Sequence, residues 1–581
     1  MSRWELQDIL DDVDEEMQRA KKAIRTFSNL VSTLSRDMST ERFRAFIDAD
    51  EQVEKRLSTV MAFASLRQAA DVKDHEAAVI LNRIQDLHLQ HHAISIKVRS
   101  WLQGKDGDLD DKNAKRLFRS IPEHTYTLSR TRSSAKHSLP EGEERIAAQK
   151  DSDFLSTITD MRRLVTNEFR YFFKPEGYRR GRTITNTEEL MSHVHSPEPE
   201  KRRAAFDCLL SKHKEHLDPL YTAYKGVVKD WAATARTRRF ARPISMRNFN
   251  NNVSDKAIDT LLDTCTSHRT VFHRYFRFKA KELGVKKLSR YDIHAPLSDK
   301  EEKIPFRRAK DIVLNTFKGI SQDFHDKAKT ILDKGHIDVF PRENKRGGGF
   351  CLNVSPDVTP YILMNYTGTH TDVMTLAHEL GHAVHALYAS SLPASVQDAP
   401  LPLAETASTF CELAVFEALY EQEPALRKQL LAQRMAESYA TIAVQCYFTL
   451  FEIQAHDKIP RGMTAEELSS IYQSLQEELL GDAVTNEEIF RYGWSYIPHF
   501  IEAPFYCYAY CFGELLSMAL YERFRNEGAS FIPTLERVLC AGGAYDPAKV
   551  LRNAGFDMHK AASWEQSFRL IERWQRLLER L

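Results

Sequence analysis

With 81 Lys and Arg against 81 Asp and Glu in 581 residues, the chain has no net formal charge; a dominant nucleic-acid or anionic-membrane partner is therefore not expected. Glycine (22) and proline (21) are both sparse against averages of roughly 7% and 5%, which long helices with few turns explain best. The eight cysteines, at 208, 265, 351, 411, 446, 507, 511 and 540, show no zinc-finger or C-x-x-C spacing, so buried reduced thiols are expected rather than a disulfide framework.

Length alone suggests roughly two to four domains. The first residues, Met1 to Asp8, contain no apolar run of the kind a secretory leader needs. Helical periodicity then predicts helices over 4–30, 41–67 and 74–102, with Ile80, Ile84, Leu87, Ile94 and Ile96 as apolar positions of the third. Gly104 to Asp108 reads as a turn, with too few spaced oxygen ligands for a calcium loop. Residues 131–152 are polar and read as an exposed connection. The pattern breaks at Pro175, Gly177 and Gly181, which places the main boundary there: an N-terminal helical domain over 1–185 and a second domain over 186–581. Ser196-Pro197-Glu198 predicts a helix start with Pro197 in the first helical position. Long helices are expected over 197–236, 254–283 and 307–334, with no internal repeat.

The stretch from Phe340 to Tyr366 is the clearest non-helical patch. Its Arg346-Gly347-Gly348-Gly349-Phe350 run does not fit a phosphate-binding loop; it reads either as a hairpin loop or as a mobile loop flanking a substrate. Tyr361 to Tyr366 reads as a strand of a small sheet, whose edge could hydrogen-bond an extended peptide.

His378, Glu379 and His382 spell H-E-x-x-H within an apolar stretch. Residues four apart lie about 40° apart around a helix. Both imidazoles can therefore aim at one tetrahedral zinc, with Glu379 beside them as general base on a metal-bound water. A chance match in such a chain has a probability of roughly 5%, and the bland alternative is a pair of satisfied core histidines. A catalytic zinc also needs a third protein ligand and an open position. After breaks at Pro393, Pro400 and Pro402, helical pattern resumes at Ala404, and Glu405 is the first acid there, 23 residues beyond His382. Other zinc-peptidase spacings fail, because Leu401 and Thr409 stand where their acids would. His385 lies about 10 Å along the axis from His378, too far to share the ion, and reads as structural or outer-shell. Glu412 is a candidate outer-shell partner.

Toward the C-terminus, Ile497 to Tyr521 is apolar but holds His499, Glu502, Pro504 and Glu514, which argues against a membrane span. A soluble, cytoplasmic protein is expected. If a helix starts near His499, then His499, Ala503, Tyr506 and Tyr510 share a face. His499 and a tyrosine are suitable donors to an oxyanion, with Tyr508 an alternative in another register.

Three elements in order, Pro360 to Tyr366, Thr375-Leu376-Ala377-His378-Glu379-Leu380-Gly381-His382-Ala383 and Ala404-Glu405-Thr406-Ala407-Ser408, resemble the oligopeptidase F branch of the thimet-oligopeptidase-like zinc peptidases. The resemblance is specific over most of 195–575 and loose over the first 190 residues. It implies one zinc per chain held by His378, His382 and Glu405. It also implies an oxyanion-stabilising His and Tyr pair, carried onto His499 and Tyr506 with Tyr510 also a candidate, and a glycine-rich loop beside the active site. The implied fold is mostly α, a two-lobed helical zincin-type peptidase with a small sheet beside the motif helix and a deep channel admitting only short peptides. Two rivals stand beside the endopeptidase reading: a zinc carboxypeptidase or dipeptidase of the same fold, and a non-enzymatic peptide-binding protein.

Overall fold

The computed structural model describes residues 3–297 and 303–581, and they are mostly helical with a few short strands. Near the N-terminus, helices Val13–Val31, Thr40–Ala70 and His75–Leu102 each start at a side-chain cap: Asp12, Ser39 and Asp74 accept the N–H of Glu15, Arg42 and Ala77. Such caps satisfy N–H groups that have no partner within the helix. Phe27, Phe43, Phe46, Val53, Leu57 and Ile84 interlock between the three helices. The first helix starts later than its periodicity suggests. Asp12 ends the preceding loop, and Trp4 and Ile9 pack instead against Tyr361 and Leu363.

Several sequence expectations are revised at helix ends. Residues 141–167 form a helix rather than an exposed connection. Its Glu, Ala, Arg and Gln content favours helix, Pro140 stands just ahead of its first residue, and Ile146 and Leu164 stay exposed, so no apolar stripe announces it. A short helix, Thr187–Ser192, comes first after the boundary, and the helix expected to start at Ser196 is Pro199–Glu215, with Glu198 as cap and Pro199 rather than Pro197 in its first turn. The three long helices are each split in two, at His216, at His268–Arg269 and at Ser321. Ser321 is fully extended and its hydroxyl accepts the N–H of Phe324, starting the next helix. The break at 172–186 is an antiparallel hairpin of Tyr171–Phe173 with Arg182–Ile184.

The residues group into two compact units. The first comprises 1–141, 301–419 and 520–557, and the second 142–300, 420–519 and 558–581. The first holds the three capped helices and a three-stranded sheet. In that sheet Tyr361–Leu363 is central, parallel to Ile337–Asp338 and antiparallel to Phe350–Leu352. Tyr361, Ile362 and Leu363 are fully buried, which leaves Phe350–Leu352 as an edge. The glycine-rich run precedes this edge strand and is not the turn of the hairpin. It is tethered: Lys345 Nζ donates to the carbonyls of Asp338, Phe340 and Met364 and to the Asp338 carboxylate, at 2.6–3.1 Å. Asn365 Nδ2 donates to the carbonyls of Arg346 and Gly348 at 3.0 and 2.8 Å.

The second unit is organised on an aromatic core in which Phe451 meets Phe500 at 5.1 Å and Tyr224 meets Trp494 at 5.7 Å between ring centroids. All eight cysteines are unbridged, and Cys265, Cys411, Cys446, Cys507 and Cys511 are buried. Among the described residues no helix is long and apolar enough to cross a membrane.

Candidate metal centre

Thr369 starts the motif helix, His370–Tyr388, with a reciprocal capping box: its hydroxyl accepts the N–H of Asp372, and Asp372 accepts the N–H of Thr369. Two turns on, His378 and His382 project side by side, their ring centroids 4.9 Å apart. Glu405 follows the short helix Leu401–Ala404 and immediately precedes Thr406–Gln422. Its Oε2 lies 3.2 Å from His378 Nε2 and 3.3 Å from His382 Nε2.

What brings Glu405 this close is Gly381. A Cβ there would sit 2.6 Å from Ser408 Cα and 2.8 Å from the Ala407 carbonyl oxygen. The motif helix and the start of the next helix thus touch backbone to backbone, an approach that only glycine permits. Gly381→Ala forces the two segments apart. It is expected to cost about 1–3 kcal/mol of stability through overpacking and to weaken metal binding. Thermal unfolding and metal titration of the variant measure the two effects separately.

Neighbours fix the donors. Glu412 Oε2 lies 3.2 Å from His378 Nδ1, so a proton on Nδ1 leaves Nε2 as the free donor. The Ser408 hydroxyl donates to Glu405 Oε2 at 2.9 Å. Burial alone pushes the Glu405 carboxyl up, but His378 and His382 outweigh it and hold it well below the usual carboxylate range. Burial likewise opposes charge on His378, and Glu405 and Glu412 overrule it, raising that imidazole.

Glu379 is different. It is buried at 6% exposure, and its Oε2 has no hydrogen-bond partner. Burial pushes its carboxyl up, and the two motif histidines partly offset this. The glycine-rich run reaches it: a Cβ at Gly349 would stand 3.1 Å from Glu379 Oε1. A cavity of about 390 Å³ is bordered by Gly349, Cys351, His378, Glu379, His382 and Glu405. His385 borders it too, but falls outside the donor set. Burial, helped by the charge of His382, pushes its imidazole down to about 4 despite a hydrogen bond with the Ala404 backbone that opposes the shift.

The donors of His378, His382 and Glu405 lie within 4.8 Å of one another. Two imidazole nitrogens and one carboxylate oxygen suit a tetrahedral zinc with its fourth position open. The unpartnered oxygen of Glu379 in the same cavity fits such an ion and its water.

In the second unit His499, Tyr506 and Tyr510 also come together, though not on one helical face. His499–Glu502 is a single turn, and the helix restarts only at Tyr508. Pro504 disfavours helical backbone at Ala503, which sits at φ −149° and ψ 72°. Phe505 takes a left-handed φ of 58°, and its N–H donates to Glu452 at 2.7 Å. The chain folds back, so that His499 Nε2 and Tyr510 Oη lie 3.3 Å apart and the Tyr506 and Tyr510 rings 5.1 Å apart. Tyr508 points elsewhere: it is fully buried, and its hydroxyl accepts a hydrogen bond from Asn251 at 2.8 Å.

Sequence reading placed the glycine-rich run beside the active site without singling out Gly349, and gave Gly381 and Ser408 no role of their own. Gly381 sits inside the motif itself, where its lack of a side chain was the available signal.

A mostly helical fold carrying an H-E-x-x-H helix with a third carboxylate against it defines a metallopeptidase. Residues 192–570 match the model of peptidase family M3. The chain belongs to that family and is a peptide-hydrolysing metalloendopeptidase. It is 25% identical to oligopeptidase PepF of Bacillus subtilis over 98% of this chain and 85% of that one. With the chromosomal oligoendopeptidase F of Lactococcus lactis subsp. cremoris it shares 28% identity over 67% of this chain and 65% of the relative. The crystal structure of oligoendopeptidase-F from Enterococcus faecium shares the fold, with TM-score 0.71 and 22% identity over 98% of each chain. A solved chain from Chlamydophila abortus superimposes with TM-score 0.87 and 22% identity over 99% of this chain and 98% of that one.

Proposed function

We propose that the protein is a cytoplasmic, zinc-dependent oligoendopeptidase in which Glu379 is the general base. The observation that carries this reading is the unpartnered carboxylate oxygen of Glu379 in the same cavity as the three-donor cluster. His378, His382 and Glu405 hold the ion. When bound there, zinc lowers the pKa of its water and polarises the scissile carbonyl. Glu379 takes the proton from the attacking water and delivers it to the departing amine nitrogen. Burial suits it to the first task, because a carboxylate of raised pKa accepts a proton more readily. Glu412 keeps the Nδ1 proton on His378, and Gly349 leaves room beside Glu379. Donation to the developing oxyanion is assigned to His499, Tyr506 and Tyr510. We assign the chemistry to the region 186–581, whose start lies close to that of the family match at residue 192, and regard 1–185 as an N-terminal domain.

The deciding experiment is mass spectrometry of products from a mixed peptide pool, with and without chelator, including peptides blocked at both ends. Internal cleavage of the blocked peptides that stops with chelator supports the proposal. Cleavage only next to a free C-terminus would make the enzyme a carboxypeptidase, and zinc-loaded protein that cuts nothing would make it a peptide-binding protein. Tyr510→Phe and Tyr506→Phe are each expected to keep zinc content, while the one that supplies the oxyanion donor lowers kcat by roughly 100-fold. Steady-state kinetics on one fluorogenic peptide separates them.

A further inference from the structure

The cavity beside the metal donors extends to a second polar end, formed by Asn353, Gln397 and Asp398. No lysine or arginine borders the cavity, and among the described residues no cation pairs with Asp398. The Asp398 carboxylate is exposed and accepts one hydrogen bond, from Asn353 Nδ2 at 3.0 Å. Asn353 Oδ1 itself is buried without a hydrogen-bond partner.

This end is rigidly built. Gln397 is buried at 3% exposure and donates to the carbonyl of Ala386 on the motif helix at 3.2 Å. The Gly543 N–H donates to the Val396 carbonyl at 2.9 Å. The 542–543 turn presses so close that a Cβ at Gly542 would stand 2.5 Å from the Gln397 carbonyl oxygen and one at Gly543 2.9 Å from that of Asp398. On the other side, Glu51 accepts hydrogen bonds from the backbone and hydroxyl of Ser395. The backbone carrying Asp398 is therefore fixed to the motif helix one turn beyond His382, a step of about 6 Å along the axis. An extended peptide advances about 3.3 Å per residue. Its side chain one or two positions from the scissile bond can reach this carboxylate.

We propose that Asp398 forms an acidic subsite that takes the cationic side chain of a lysine or arginine flanking the scissile bond; this rests on the peptidase reading above. The subsite adds attraction for one cation and repels an acidic side chain at the same position. It acts as a bias on sequence rather than as a requirement.

The test uses the zinc-loaded enzyme and a series of end-blocked peptides differing only by Lys, norleucine or Glu at each position around one cut. At one position the Lys peptide should exceed the norleucine peptide about tenfold in kcat/KM, with the Glu peptide lowest. Asp398→Asn should bring the Lys to norleucine ratio near one, and Asp398→Lys should invert the order of Lys and Glu. Calorimetric binding of the same peptides to the Glu379→Gln protein should give the same ranking without turnover. Equal rates for Lys and norleucine peptides in the unaltered enzyme, or a Lys preference that survives Asp398→Asn, overturn the subsite alone. Failure to cut any peptide of the series overturns the peptidase reading, and the subsite with it.

Discussion

Replacing Glu379 by glutamine should leave zinc content unchanged and lower kcat by about 10³-fold, within the range typical of a general base. The amide is nearly isosteric with the carboxyl, so it fits the space between the motif histidines and Gly349 without a new void. It cannot accept the proton. The carboxyl oxygen that changes has no hydrogen-bond partner, so the substitution breaks no structural bond there, and a fall in turnover reports chemistry rather than unfolding. Metal analysis beside steady-state kinetics makes the distinction. Loss of zinc in this variant would mean that Glu379 is a ligand, and full activity would mean that another group moves the proton.

Glu405→Ala should have the largest effect on the metal. It removes one of three donors and leaves two histidines one turn apart, a pair too sparse to hold zinc tightly. Affinity should fall by well over 100-fold, beyond the 10–100-fold that loss of an outer hydrogen-bond partner produces. Glu412→Gln supplies that milder case within the same protein, because Glu412 bears on the donor cluster through His378 Nδ1 and is not one of the three donors. Competition with a zinc chelator, measured on both variants, ranks them. Equal losses, or full occupancy in Glu405→Ala, would refute the ligand assignment.

The local part of this site was legible in the sequence. Spacing of four residues puts His378 and His382 side by side on any helix, and the helix formed where the apolar flanks required it. Glu405, the third member of the cluster, was visible as an acid after a proline-broken stretch. What bridges the 23 residues between, the bare backbone at Gly381 against Ser408, is a tertiary contact that no periodicity encodes. The grouping of His499 with Tyr506 and Tyr510 was anticipated for an incorrect reason. A continuous helix was expected, whereas Pro504 and the left-handed Phe505 fold the chain back and achieve the same meeting. The tethering of the glycine-rich run by Lys345 and Asn365 depends on carbonyls from distant segments, and so was invisible. Helix lengths failed for a related reason: breaks at His216 and Ser321 interrupt patterns whose apolar period runs on past them.

The touch between the motif helix and the start of the next one involves no charged group and no ion. It is backbone meeting backbone, and the capping box at Thr369 and Asp372 fixes the motif helix independently. The grip is therefore standing before its cargo arrives. Stripping the ion should leave an empty but shaped holder that reloads without refolding, unlike small zinc domains whose architecture collapses with their metal.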